Sequence, residues 1–161
     1  MNIEMVELML ALLLDDLKSL EKVGKLNDDL YDTNLTIGSL LVVLSKSGEW
    51  YVSKEHKLFV IGGSDISKIK EGLNDPFFKA CLYHELVHVT QFDRIPEGYE
   101  HTELETMSEI IKCPFEFEAV LEECLFCQKN GFLDEVYMEE AMEELLTNDS
   151  FREAFTKRMV V

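Results

Sequence analysis

Apolar and polar positions along the chain fall into distinct rhythms. Ile3, Val6, Leu10, Leu13, Leu17 and Leu20 recur in steps of three and four, which predicts an amphipathic helix ending near Gly24. The spacing also fits a heptad seam, so a dimer contact is an alternative use. It covers fewer than three heptads, and core packing is the expected use. From residue 36 to 62 the period changes to that of β-structure. Ile37 to Leu44 is apolar and partly β-branched, and admits strand or helix. Lys46-Ser47-Gly48-Glu49 reads as a turn. Trp50-Tyr51-Val52 and Leu58-Phe59-Val60-Ile61 read as short strands, closed by Gly62-Gly63.

Helical signals dominate the remainder. Asp75-Pro76 combines an N-capping Asp with Pro at the first helical position, and the helix should run to about Gln91. Pro96 and Gly98 mark a loop. Thr102 with Glu105 resembles a capping box for a short helix to about Ile111. Pro114 opens another helix, which Asn130-Gly131 ends. Asp134 is placed to cap an acidic helix through Leu146, and Ser150 to cap a last short one. With no repeat, linker or low-complexity tract, residues 1–161 read as a single α+β domain: a small antiparallel sheet packed against several helices.

Composition narrows the function classes. The chain has 161 residues, 47% of them apolar, enough for one core without disulfide staples. Fifteen Lys and Arg against 32 Asp and Glu give a net charge of −17. Such a surface repels phosphates and anionic lipids, so nucleic acid and membrane are not expected partners. It favours cations and basic protein or peptide partners. The apolar run Leu8 to Leu14 is too short to span a bilayer, and it has neither the basic start nor the cleavage site of a secretory signal. A cytoplasmic chain with Cys81, Cys113, Cys124 and Cys127 reduced is the expectation. Cys124-Leu125-Phe126-Cys127 lies inside a helix without the loop of a zinc ribbon, so packing is its expected role. Cys81, one turn before His84, can border a site there, but packing is again expected.

The chemistry-bearing segment is His84-Glu85-Leu86-Val87-His88. Residues four apart on a helix sit one above the other, so two imidazoles can grip one metal ion. Glu85 projects beside them, where its carboxylate can take a proton from water at that ion. At about 100° per residue, Phe78, Leu82, Leu86 and Val89 cluster on one side of the helix, and His84 and His88 fall on another with Phe77, Cys81 and Gln91.

A zinc site needs a third protein ligand and an open fourth position. The metzincin extension would require Gly and His where this chain has Gln91 and Arg94, which removes that class. A better candidate lies in Pro114-Phe115-Glu116-Phe117-Glu118-Ala119. On the helical wheel Glu116 sits inside an apolar arc, between Phe117, Val120, Leu121, Cys124 and Cys127 on one side and Phe115, Ala119 and Phe126 on the other. Glu118, Glu122 and Lys129 point the opposite way, towards water. A carboxylate on a buried face needs compensation, which a metal ion supplies. Glu118 remains the competitor for that role, and a first-turn Glu favoured by the helix dipole is the plain account of Glu116. Glu123, two turns on, can hydrogen-bond a ligand.

The pairing of His84-Glu85-Leu86-Val87-His88-Val89-Thr90-Gln91 with Pro114-Phe115-Glu116-Phe117-Glu118-Ala119 resembles the gluzincin-type zincins, in particular small bacterial and phage proteins. The resemblance covers about residues 57–123. It implies a zincin-like fold and a zinc metallopeptidase with His84, His88 and Glu116 as Zn2+ ligands and Glu85 as general base. Val120 stands where gluzincins carry an Asp or Asn that supports a ligand His, which puts catalysis in question. The resemblance also implies that Leu58 to Ile61 is an edge strand able to pair with an extended substrate. Tyr99, His101 and Tyr137 are candidates for stabilising the oxyanion. The rival reading is a zincin-fold binding or inhibitory protein that engages a basic partner without proteolysis. Mimicry of a polyanion is a third, resting on charge alone.

Overall fold

The computed structural model describes residues 2–96 and 106–159. The chain divides into two compact units, Met1–Phe92 and Asp93–Val161.

The first unit combines a sheet with helices. Helix α1 (Ile3–Lys18) is N-capped by Asn2, whose side chain accepts from the Met5 N–H at 3.1 Å. Val6, Leu10, Leu13 and Leu17 are buried, so the stripe serves the core. The helix stops at Ser19, earlier than Gly24, which lies in strand β1 (Gly24–Lys25). Strands β2 (Leu30–Ile37) and β3 (Leu40–Ser45) form a hairpin about Gly38-Ser39, with Ile37 opposite Leu40. Gly38 has φ +57°, the positive value that two-residue hairpin loops demand. The run from Ile37 to Leu44 is thus the end of one strand, a turn and most of the next. β2 carries a bulge between Asp32 and Thr36: Asn34 takes φ +62°, its N–H bonded to Asp32 Oδ1, while the Thr33 hydroxyl donates to the Val42 carbonyl.

Strands β4 (Tyr51–Ser53) and β5 (Leu58–Gly62) complete a five-stranded sheet of order β1-β2-β3-β5-β4. Two expectations are corrected here. The sheet is mixed rather than antiparallel, because β3 and β5 run parallel. Leu58 to Ile61 is an interior strand, and the edge beside it is β4. The physical reason lies in composition. Strands covered on both faces read as unbroken apolar runs, as Leu58-Phe59-Val60-Ile61 does. Three half-buried residues, Tyr51, Val52 and Ser53, suit an edge. β4 follows β3 in sequence yet pairs only with β5, which enters between them. Val43 and Val60 pack with Leu30 on one face of the sheet, and Val42, Leu44, Phe59 and Ile61 are fully buried on the other. Gly62 is required by close packing: a Cβ there would run into the Gly48 carbonyl and the Trp50 ring.

A short helix α2 (Ile66–Gly72), capped by Asp65, precedes α3 (Pro76–Thr90). The start of α3 is as expected: the Asp75 side chain accepts from the Phe77 N–H, and Pro76 opens the helix. Helix α3 packs on α1 and reaches β4. It is buried more completely than one apolar stripe implies, with Ala80, Leu82, Tyr83 and Glu85 to His88 all buried. Of this central stretch, Cys81 and His84 are half-exposed.

The second unit is helical among its described residues. Thr102 and Glu105 lie outside them. The short helix α4 (Met107–Ile110) is capped by Thr106, whose side chain accepts from the Glu109 N–H. Helix α5 (Pro114–Lys129) ends at Asn130, followed by Gly131 at φ +77°. Asp134 falls inside a one-turn helix, α6 (Leu133–Val136), and not at the cap of a longer one. The chain breaks at Tyr137 and Met138 before α7 (Glu139–Leu146). The last helix, α8 (Asp149–Met159), starts before Ser150, and Asn148 Oδ1 accepts from the Phe151 N–H. Phe117 and Phe151 meet edge to face at 5.6 Å between α5 and α8. No helix among the described residues is long and apolar enough to cross a membrane.

One charged position departs from the helical wheel. Glu122, expected to face water, is buried, and Arg158 of α8 donates to both its oxygens at 2.7 and 3.1 Å. The reason is long-range: a guanidinium 36 residues away compensates the carboxylate. Removing one partner of a buried pair leaves the other charge stranded. Because Arg158 is partly exposed, Arg158→Ala should lower the unfolding free energy by about 2 kcal/mol in urea denaturation. Adding Glu122→Gln to it should recover part of that loss. Cys124 and Cys127 are fully buried, and burial, with Glu123 next in order, pushes the Cys124 thiol well above the usual thiol range. Both thiols should therefore resist Ellman's reagent in the native protein and react after denaturation.

Candidate metal centre

The strongest local geometry lies in the last two turns of α3. His84 Nε2 and His88 Nε2 are 3.2 Å apart, with ring centroids 4.9 Å apart and the planes inclined at 73°. Two nitrogens bound to one tetrahedral zinc at about 2.0–2.1 Å stand roughly 3.3 Å from each other. The separation observed here fits that arrangement with little rotation of either ring. The same distance also suits a hydrogen bond between two neutral imidazoles, in which one Nε2 accepts.

The other nitrogen of His88 defines its state further. Nδ1 lies 2.7 Å from Gln91 Oε1. An amide oxygen only accepts, so Nδ1 carries the proton, and a neutral His88 presents a lone pair at Nε2. In that neutral form the lone pair of Nε2 is on the side of His84, 3.2 Å from its Nε2. His88 is buried at 5% exposure, and His84 is half-exposed. Helix α3 supplies the i, i+4 register, and its Asp75-Pro76 start sets where that register begins.

Glu85 follows His84 on α3 and is 6% exposed. A carboxylate so far withdrawn from water on a helix this apolar is not a solvated surface group. Its position in sequence keeps it beside the imidazoles without stacking it on their face.

Glu116 and Glu118 belong to the second unit. Glu116 is in the first turn of α5 and is 8% exposed, in agreement with its place inside the apolar arc. The helix dipole favours a carboxylate at that end. Glu118 is half-buried and bound to Arg94, whose guanidinium approaches Oε1 at 2.7 Å and Oε2 at 3.4 Å. The Glu118 carboxylate, acting first by hydrogen bond, raises the pKa of the Arg94 guanidinium further. Glu118 thus already has a cation, which the helical wheel did not reveal because Arg94 lies in a loop 24 residues earlier.

The remaining candidates take other places. Val120, at the position where the family resemblance puts an Asp or Asn, is buried. Tyr137 is buried at the end of α6. Tyr99 and His101 fall outside the described residues. Cys81 is half-buried on α3, one turn before His84. Gln91, which shares the histidine face of the helical wheel with Phe77 and Cys81, is the residue that the sequence pattern did not single out for the site. The signal for it was there: a polar side chain three positions after His88 on a helix's last turn.

No protein-family model matches the chain, and comparison with curated proteins and with solved structures gives no match.

Proposed function

We propose that the protein is a zinc-dependent peptidase in which His84, His88 and Glu116 hold one zinc ion and Glu85 is the general base. The observation that carries this reading is the 3.2 Å approach of the two Nε2 atoms, with Nδ1 of His88 2.7 Å from Gln91 Oε1 on the opposite side of the ring. Two nitrogens and a carboxylate oxygen form a borderline donor set of the kind zinc takes, and three protein ligands leave a fourth position for water or substrate. Between the two candidate carboxylates, Glu116 is the more buried, at 8% exposure, whereas Glu118 is half-buried and pairs with Arg94, which favours Glu116.

When bound, zinc would polarise the scissile carbonyl and make a neighbouring water more acidic. The protein's own groups have three tasks. His84 and His88 would hold the cation through unprotonated ring nitrogens. The Glu116 carboxylate would offset part of its charge. Glu85 accepts the proton of the attacking water on a carboxylate oxygen and passes it to the leaving amine. Burial of Glu85 keeps bulk water from competing for that proton. The net charge of −17 favours a basic peptide over an acidic one as substrate.

The test is elemental analysis of protein purified without chelator, joined to hydrolysis of a random-sequence peptide library. The wild type should carry near one zinc per chain, and His84→Ala should lose most of it. Glu116→Gln should weaken zinc retention more than Glu118→Gln; the reverse would transfer the third ligand to Glu118. Glu85→Gln should keep the metal while cleavage falls by about 10²-fold or more. A wild-type chain that stays free of zinc when supplied with it sinks the metal reading. Undiminished cleavage by Glu85→Gln sinks the role of the base.

A further inference from the structure

We infer that Gln91 is the positioning residue for His88, holding its ring in the orientation and tautomer that a metal at Nε2 requires. The inference rests on the zinc reading above, yet it makes a claim about the metal-free protein that can be tested separately.

Gln91 is fully buried. Burying a primary amide is costly unless its polar atoms are bonded, so a Gln in this position has a specific partner to serve. That partner is His88: Gln91 Oε1 lies 2.7 Å from Nδ1. The backbone closes on the same residue. Gln91 is the C-cap of α3, and its N–H donates to the His88 carbonyl at 3.1 Å. Main chain and side chain of one residue therefore grip the ligand histidine at both ends. The helix terminus itself fixes where the amide oxygen stands.

The chemical consequence is selective. In water a free neutral histidine favours the proton on Nε2, the wrong atom for this site. The amide oxygen reverses that preference, since it bonds only to a protonated Nδ1. Nε2 is then left as the donor atom, at the position 3.2 Å from His84 Nε2. Outer partners of this kind orient ligand histidines in metal sites generally. Here the partner is neutral, so it sets the tautomer without adding negative charge beside the cation. A carboxylate at the same place would also accept from Nδ1, which makes Gln91→Glu the natural rescue.

The experiment combines nitrogen NMR of the metal-free protein with zinc affinity measured by chelator competition. In the wild type, the long-range nitrogen–proton correlations should show His88 protonated at Nδ1, with a slowly exchanging proton there. Gln91→Met, which keeps the bulk and removes the acceptor, should lose that pattern and bind zinc about 10–100-fold more weakly. Gln91→Glu should restore both. If Gln91→Met does not fold, as judged by circular dichroism, the wild-type spectrum alone decides. His88 protonated at Nε2 in the wild type would overturn the inference, as would a folded Gln91→Met with unchanged tautomer and zinc affinity. A wild type that binds no zinc but shows the Nδ1 proton would end the metal reading while leaving the hold of Gln91 on His88 in place.

Discussion

Two imidazole nitrogens held 3.2 Å apart on one helix are the constraint on which the proposed chemistry depends. Nitrogen lone pairs at that distance repel unless a proton or a cation stands between them. The helix can impose the approach because it is buried on nearly every side from Ala80 to His88 and so has little freedom to turn. The sheet serves the same end. Its two most buried strands, β3 and β5, lie side by side in parallel, and β4 at the edge contacts α3. The position of the histidines is thus a consequence of core packing.

Charge is distributed by the same logic of compensation. Four carboxylates on α5, those of Glu116, Glu118, Glu122 and Glu123, are wholly or partly withdrawn from water. Arg158 answers Glu122 and Arg94 answers Glu118, each through close hydrogen bonds from a guanidinium. In a chain with more than twice as many acidic as basic residues, arginines committed to particular carboxylates are informative. They fix the places of Glu118 and Glu122. Glu116, in the first turn and buried to a similar degree as Glu122, is the carboxylate proposed to bind the metal.

A helix can announce its own position because its signals are local. The Asp75-Pro76 start, the i, i+4 spacing of His84 and His88, the Pro114 start and the Asn130-Gly131 end all lie within a few residues of the bonds they determine, and the structure places each where the sequence indicates. The burial of Glu116 was legible for the same reason: the angle between residues on a helix is set by backbone geometry. Where one long periodic stretch was assumed, at 134–146, the break at Tyr137 and Met138 overrode it. The bulge of β2 likewise involves a bond across the sheet, from the Thr33 hydroxyl to the Val42 carbonyl.

Sequence alone therefore determined the helical half of the candidate centre: that two imidazoles share one face of a helix, and that a carboxylate lies on the apolar arc of another. Tertiary structure alone decided that β5 enters between β3 and β4 and turns an expected edge into an interior strand, that Arg158 buries Glu122, and that Arg94 claims Glu118. The division has one physical cause. Helical register follows from bonds between residues four apart, so a short window of sequence contains it. Strand order and ion pairing join residues tens of positions apart, and their choice depends on the free energy of packing the chain as a whole.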